Sequence, residues 1–131
     1  MKKELADVKA FNDAYRTKYN TQPMLPSIKQ RKLRMNLLLE ECKELEQAFK
    51  EGDLVESADA IVDILYIVFG GAHDLGIAEK LPELFAEVHR SNMTKLDVNG
   101  NPIYNEHGKV IKGPNYEKPQ LASILFPDLL D

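Results

Sequence analysis

Apolar residues recur every three to four positions along most of this chain, the period of helices with one buried face. Leu5, Val8, Phe11, Ala14 and Tyr15 predict a first helix over residues 3–19, ended by the turn-rich stretch Asn20 to Pro26. Ser27 can cap a second helix over about 27–50. Past the Gly52 break, Asp53 can cap a third over about 54–75, with Gly76 ending it. A fourth is predicted from Ile77 to Asn92, with Pro82 marking a restart near its beginning. Beyond it the character changes. Asn99-Gly100 and His107-Gly108 are turn signals, with short runs between them that can pair as a small hairpin. The tail after Pro119 reads as an extended arm with one apolar turn, Leu121 to Phe126. No internal repeat or low-complexity segment is visible. Four helices joined by short loops predict an all-α, four-helix-bundle-type fold, a single domain over 1–131 with a short C-terminal hairpin or extended arm.

The third helix breaks its own pattern. Val55, Ala58, Ile61, Val62, Ile64, Leu65, Ile67, Val68 and Phe69 cover most of its circumference, so it reads as buried nearly all round. Yet Glu56, Asp59, Asp63 and Tyr66 run along one line of it, and on the second helix Leu37, Glu41, Glu44, Leu45 and Ala48 share a side. An ionised carboxylate without a partner in such a place costs several kcal/mol, and clustered acids repel one another besides. Either the protons stay on or cations are bound. From Glu40 to Asp63 the chain has nine acids against Lys43 and Lys50, so it supplies few cations of its own. A divalent metal is the economical answer, and oxygen-only ligands with no Cys or His in register favour Mg2+, with Mn2+ as a substitute, over zinc. EExxE by itself is common on solvated helix faces. Acids on an apolar helix are not, and the Gly52-Asp53 break lets the two helices fold back as an antiparallel pair with their acids facing.

EExxE over residues 40–44, followed by ExxD over 56–59, resembles the signature of the all-α nucleoside triphosphate pyrophosphohydrolases, the MazG-like and phosphoribosyl-ATP pyrophosphohydrolase-like group. The resemblance implies Glu41, Glu44, Glu56 and Asp59 as magnesium ligands and Glu40 as the first, water-handling acid. It also implies attack at the α-phosphorus of a nucleoside triphosphate, giving a monophosphate and pyrophosphate. Glu40 and Glu41 are both candidates to orient or deprotonate the water. Asp63, one turn past Asp59, is a substrate contact or an additional ligand. The stretch EVHRSNMTKLD followed by GKVIKGPNYEKP is similar to the C-terminal part of a bacterial and phage subgroup. On that likeness Lys95, Lys109 and Lys112 are candidates for phosphate contact, and Asn92, Asn115 and Tyr116 for base or sugar contact. Arg31 and Arg34 precede the acids by one or two turns and are assigned first to salt bridges with EExxE and second to phosphate contact. His73, His89 and His107 form no zinc spacing with Cys42 and read as structural or exposed, His89 being the outside candidate for a substrate contact.

Composition changes this picture little. A chain of 131 residues with 44% hydrophobic and 29% charged residues is an ordinary globular length. The net charge of −4 hides an acidic stretch over 40–63 and a basic one over 90–118, which suits a metal site and a phosphate site but not the broad basic face of a nucleic-acid binder. A single cysteine fits the reducing cytoplasm, and the run 54–69 is too short and too acidic to span a membrane. Covering so apolar a third helix calls for a second subunit, in line with the homodimer or dimer of dimers that the resemblance implies. The reading is an Mg2+-dependent pyrophosphohydrolase in nucleotide-pool house-cleaning. Its rivals are a dUTPase-like or phosphoribosyl-ATP-specific enzyme and a non-catalytic helical metal- or nucleotide-binding regulatory module.

Overall fold

A computed structural model describes residues 1–129. Its helices are α1 (Lys2–Ala14), α2 (Ile28–Glu51), α3 (Leu54–Asp74), α4 (Leu81–Met93) and the single turn α5 (Ala122–Leu125), with 3-10 turns at Ala78–Lys80 and Pro127–Leu129. The only β-structure among the described residues is one antiparallel bridge, Tyr104 to Val110. The fold is all-α. The chain, read above as one domain, divides into two compact units, Met1–Glu79 and Lys80–Asp131.

Helix ends in the first unit close in the same way. The amide of Asp53 donates to Ala48 O at 3.0 Å and that of Gly52 to Phe49 O at 3.2 Å, with Gly52 at φ +65°. At the end of α3 the Ile77 amide reaches Ala72 O at 3.0 Å across Gly76, at φ +68°. Both are Schellman closures, in which a left-handed residue turns the chain and satisfies the last carbonyls. Helix α1 has one as well, the Thr17 amide donating to Asn12 O at 2.8 Å across Arg16 at φ +55°. It therefore stops at Ala14, short of the predicted residue 19, an end the sequence does not signal because the left-handed position holds Arg16 and not a glycine. The starts of α2 and α3 are as the sequence reads, while α4 begins at Leu81 rather than Ile77, after the 3-10 turn at Ala78–Lys80. Ser27 accepts from the Gln30 amide at 3.1 Å, Asp53 from the Glu56 amide at 3.0 Å, and Pro82 stands in the first turn of α4.

Helices α2 and α3 form the main packing of this unit, and α1 lies against α3. Their pairing is antiparallel, since Arg34 meets Gly70 and Asp74, Glu41 groups with Asp63, and Ala48 lies by the connecting turn. Leu5, Val8, Ala48, Ala60 and Ala72 are the buried apolar residues of this unit's core among the described residues. Helix α3 is not buried all round within this chain. Val55 is 76% exposed and Val62 59%, and Ile61, Leu65 and Val68 are exposed too, because α1 and α2 cover only part of so broad an apolar surface.

In the second unit, residues 97–112 contain a repeat that the sequence reading did not find. Asp97 Oδ1 accepts from the amides of Asn99 and Asn101, both at 2.9 Å, and Asn105 Oδ1 accepts from those of His107 at 2.9 Å and Lys109 at 3.0 Å. Each turn has a glycine in left-handed conformation, Gly100 and Gly108 at φ +79° and +78°. DVNGNPIY and NEHGKVIK are thus two copies of one eight-residue unit. Only the Asx acceptor, the glycine and the isoleucine are constrained by the geometry, so the copies share too few letters to stand out.

Candidate metal centre

Antiparallel pairing decides which acids meet. Glu41, Glu44 and Asp63 each bring a carboxylate oxygen within 4.8 Å of the others. Glu56 is not in this group. It sits in the first turn of α3, seven residues from Asp63 and so about 10 Å further along the helix axis, level with Ala48. Asp59 is exposed and outside the group, although its charge reaches Glu41. Glu40, beside Glu41 in sequence, points to solvent. Asp63, read as a substrate contact or extra ligand, is therefore one of the three acids that converge.

Glu41 is the strained member. Its Oε2 is buried with no hydrogen-bond partner. Desolvation first, then the neighbouring carboxylates of Glu44, Asp63 and Asp59, push its carboxyl up to about 7. None of Glu40, Glu41, Glu44, Glu56, Asp59 and Asp63 has a salt-bridge partner among the described residues. A buried acceptor without a donor, beside two further carboxylates, is costly in both respects, and one divalent cation would relieve both. The donor set is oxygen only, as Mg2+ or Mn2+ requires. The residues fit such an ion.

The arginines do other work than assigned. Arg34 does not pair with EExxE. Its Nε donates to Asp74 Oδ2 at 2.8 Å and its Nη2 to Oδ1 at 3.1 Å, a two-pronged pair with an aspartate that is 1% exposed. Gln30 adds a bond to Asp74 at 3.3 Å, and Asn20 donates to the Asp74 carbonyl at 2.8 Å. A Cβ at Gly70 would collide with the Arg34 guanidinium, so that glycine makes room for the pair. Asp74 went unnoticed in the sequence. The available signal was Arg34 itself, two turns before Glu41 and on the same stripe, which in antiparallel register faces the end of α3. Arg31 is exposed. His73 is buried and its Nε2 donates to Leu5 O at 2.8 Å, a structural role, while His89 is exposed. Cys42 is a free, exposed thiol.

Candidate substrate residues of the second unit are on the surface. Lys112 Nζ lies over the Tyr116 ring, 4.7 Å from its centroid. Asn92, Lys109 and Asn115 are exposed and Lys95 is half-buried.

Fold and acids together define a class, an all-α protein whose antiparallel helix pair carries a carboxylate cluster fit for a hard divalent cation. The family described as phosphoribosyl-ATP pyrophosphohydrolase matches residues 8–92, well over half of the chain, and the chain belongs to this family. It is accordingly a nucleotide pyrophosphohydrolase, a hydrolase acting on phosphoric anhydrides. The matched span holds the acids of both motifs and Asp63 and ends at Asn92; Lys95, Lys109, Lys112, Asn115 and Tyr116 lie beyond it. A comparison with curated proteins gives no match.

Proposed function

We propose that the protein is an Mg2+-dependent pyrophosphohydrolase that cleaves nucleoside triphosphates between the α and β phosphates, releasing a monophosphate and pyrophosphate, as part of nucleotide-pool house-cleaning in the cytoplasm. The observation that carries this reading is the convergence of Glu41, Glu44 and Asp63 around a buried carboxylate oxygen that has no partner, in a chain of this family. A divalent cation there would offset the charge on phosphate oxygens as the anhydride is broken. The chain's own acids do the rest. Glu41, whose carboxyl lies near neutrality without a cation, can take a proton from water, and exposed Glu40 is the alternative base. Glu56 and Asp59 are retained as ligands on the strength of the motif, and the reach of the Asp59 charge to Glu41 supports a role for Asp59 at the cluster's edge.

In this reading Lys95, Lys109 and Lys112 contact phosphate, and Asn92, Asn115 and Tyr116 contact base or sugar. The working form is a homodimer or dimer of dimers, an assembly supported by the exposed apolar residues of α3. No helix among the described residues is long and apolar enough to cross a membrane. A second reading, hydrolysis of phosphoribosyl-ATP alone, is favoured by the description of the matching family. Pyrophosphate release from the common ribo- and deoxytriphosphates and from phosphoribosyl-ATP, each with Mg2+ or Mn2+, separates the two. Turnover of several triphosphates supports house-cleaning, turnover of phosphoribosyl-ATP only supports the second reading, and no turnover with either metal defeats both.

A further inference from the structure

Within the second unit the segment Gly113–Glu117 is tied at both ends to the last turn of α4 and the residues that leave it. At one end Gly113 passes so close to the backbone that a Cβ would collide with the Leu96 carbonyl. At the other, the hydroxyls of Ser91 in α4 and of Thr94, which caps it, hold both backbone polar groups of Glu117. The Glu117 amide donates to Thr94 Oγ1 at 2.8 Å, Thr94 Oγ1 donates to Ser91 O at 2.6 Å, and Ser91 Oγ donates to Glu117 O at 2.7 Å. Ser91 is 2% exposed, so its hydroxyl has no solvent alternative. The Tyr116 amide closes the turn on Gly113 O at 3.3 Å.

All these bonds are made by backbone groups and by Ser91 and Thr94. The side chains of Asn92, Lys95 and Asn115 make no hydrogen bond to the described residues, and Lys112 meets only the Tyr116 ring. A short surface turn that is held rigidly while its polar side chains stay free has already lost the freedom that ligand binding would otherwise cost. We infer that Ser91 and Thr94 are positioning residues for nucleotide binding, which fix Asn115, Tyr116 and Lys112 by gripping the Glu117 peptide. The inference rests on the proposed substrate contacts of this segment.

Four variants test it, Thr94→Val, which loses the hydroxyl at constant shape, Thr94→Ser, which keeps it, Ser91→Ala, which loses the other hydroxyl, and Lys112→Ala, which removes a proposed contact. They are compared on the substrate turned over fastest in the pyrophosphate-release screen. Thr94→Val should raise KM about tenfold, equivalent to about 1.4 kcal/mol, and change kcat less than about twofold. It should leave the titration with Mg2+ alone unchanged and speed amide exchange at Glu117. Thr94→Ser should restore KM and exchange, and Ser91→Ala should repeat the Thr94→Val result from the other hydroxyl. If Lys112→Ala raises KM while Thr94→Val and Ser91→Ala do not, the positioning role is wrong and the contacts stand. If none of them alters KM, the substrate contacts themselves are wrong, and the inference falls with them. A rise in KM that Thr94→Ser does not rescue, or that comes with loss of helical signal, also overturns it.

Discussion

Glu41 is the residue on which most of the chemistry converges, because it is the one acid among the described residues whose oxygen is both buried and unpartnered. Replacing it with Gln should lower turnover by roughly 100-fold or more, on the scale of losing a general base or a ligand, with the helical circular dichroism unchanged. Asp63→Asn tests the geometry against the motif. Calorimetric titration should show weakened Mg2+ binding, and parent-like binding would place Asp63 outside the cluster. The raised carboxyl of Glu41 also carries a sign. Between about 4.5 and about 7 the folded chain keeps a proton that the unfolded chain has released, so stability must fall as pH rises through this window. Melts in EDTA should show that fall, saturating Mg2+ should flatten it by binding the ionised form, and Glu41→Gln should remove Glu41's contribution even in EDTA.

At the scale of elements, the α2–α3 pair is set at one end by the Gly52-Asp53 turn and at the other by the Arg34–Asp74 pair. Asp74 is wholly buried while Arg34 keeps some access to water, so removing the aspartate leaves a partly solvated cation and several donors without an acceptor. Asp74→Ala should cost about 3 kcal/mol, read as a lower midpoint in urea unfolding. The acid cluster lies between these two ends. Some loss of Mg2+ affinity should therefore accompany the change, because the register that brings Glu41 to Asp63 is held less firmly.

For the whole molecule, the apolar side chains left open on α3 predict assembly. Val62 and Leu65 line an apolar recess with Val8 and Phe69, and a solvated surface of this kind is unusual on a lone chain. Sedimentation at micromolar concentration should show at least a dimer. Val62→Glu, which adds a charge at a position already open to water in the single chain, should shift the protein toward monomer without unfolding it. A parent protein that sediments as a monomer and still releases pyrophosphate would refute the assembly and leave the chemistry intact.

The local order of this protein is written in its sequence. Ser27, Asp53, Gly52 and Gly76 set helix ends through bonds and backbone angles that involve only near neighbours, and the structure has those ends within a residue or two of the reading, whereas α4 starts at Leu81, next to Pro82, and not at Ile77. The presence of acids on an apolar helix was equally legible, since period and residue type suffice to mark it. What a single stretch cannot carry is register. Which carboxylates converge depends on how far α2 slides along α3, and the Arg34–Asp74 pair, whose members are distant in sequence, holds that register. For the same reason Arg34 looked like a partner for the neighbouring glutamates, whereas the fold offers it a buried aspartate forty residues away. Ser91 and Thr94 read as ordinary helix residues until the returning chain lays the Glu117 peptide across them. Tertiary structure alone decided these, because each is a contact between segments that the sequence describes only separately.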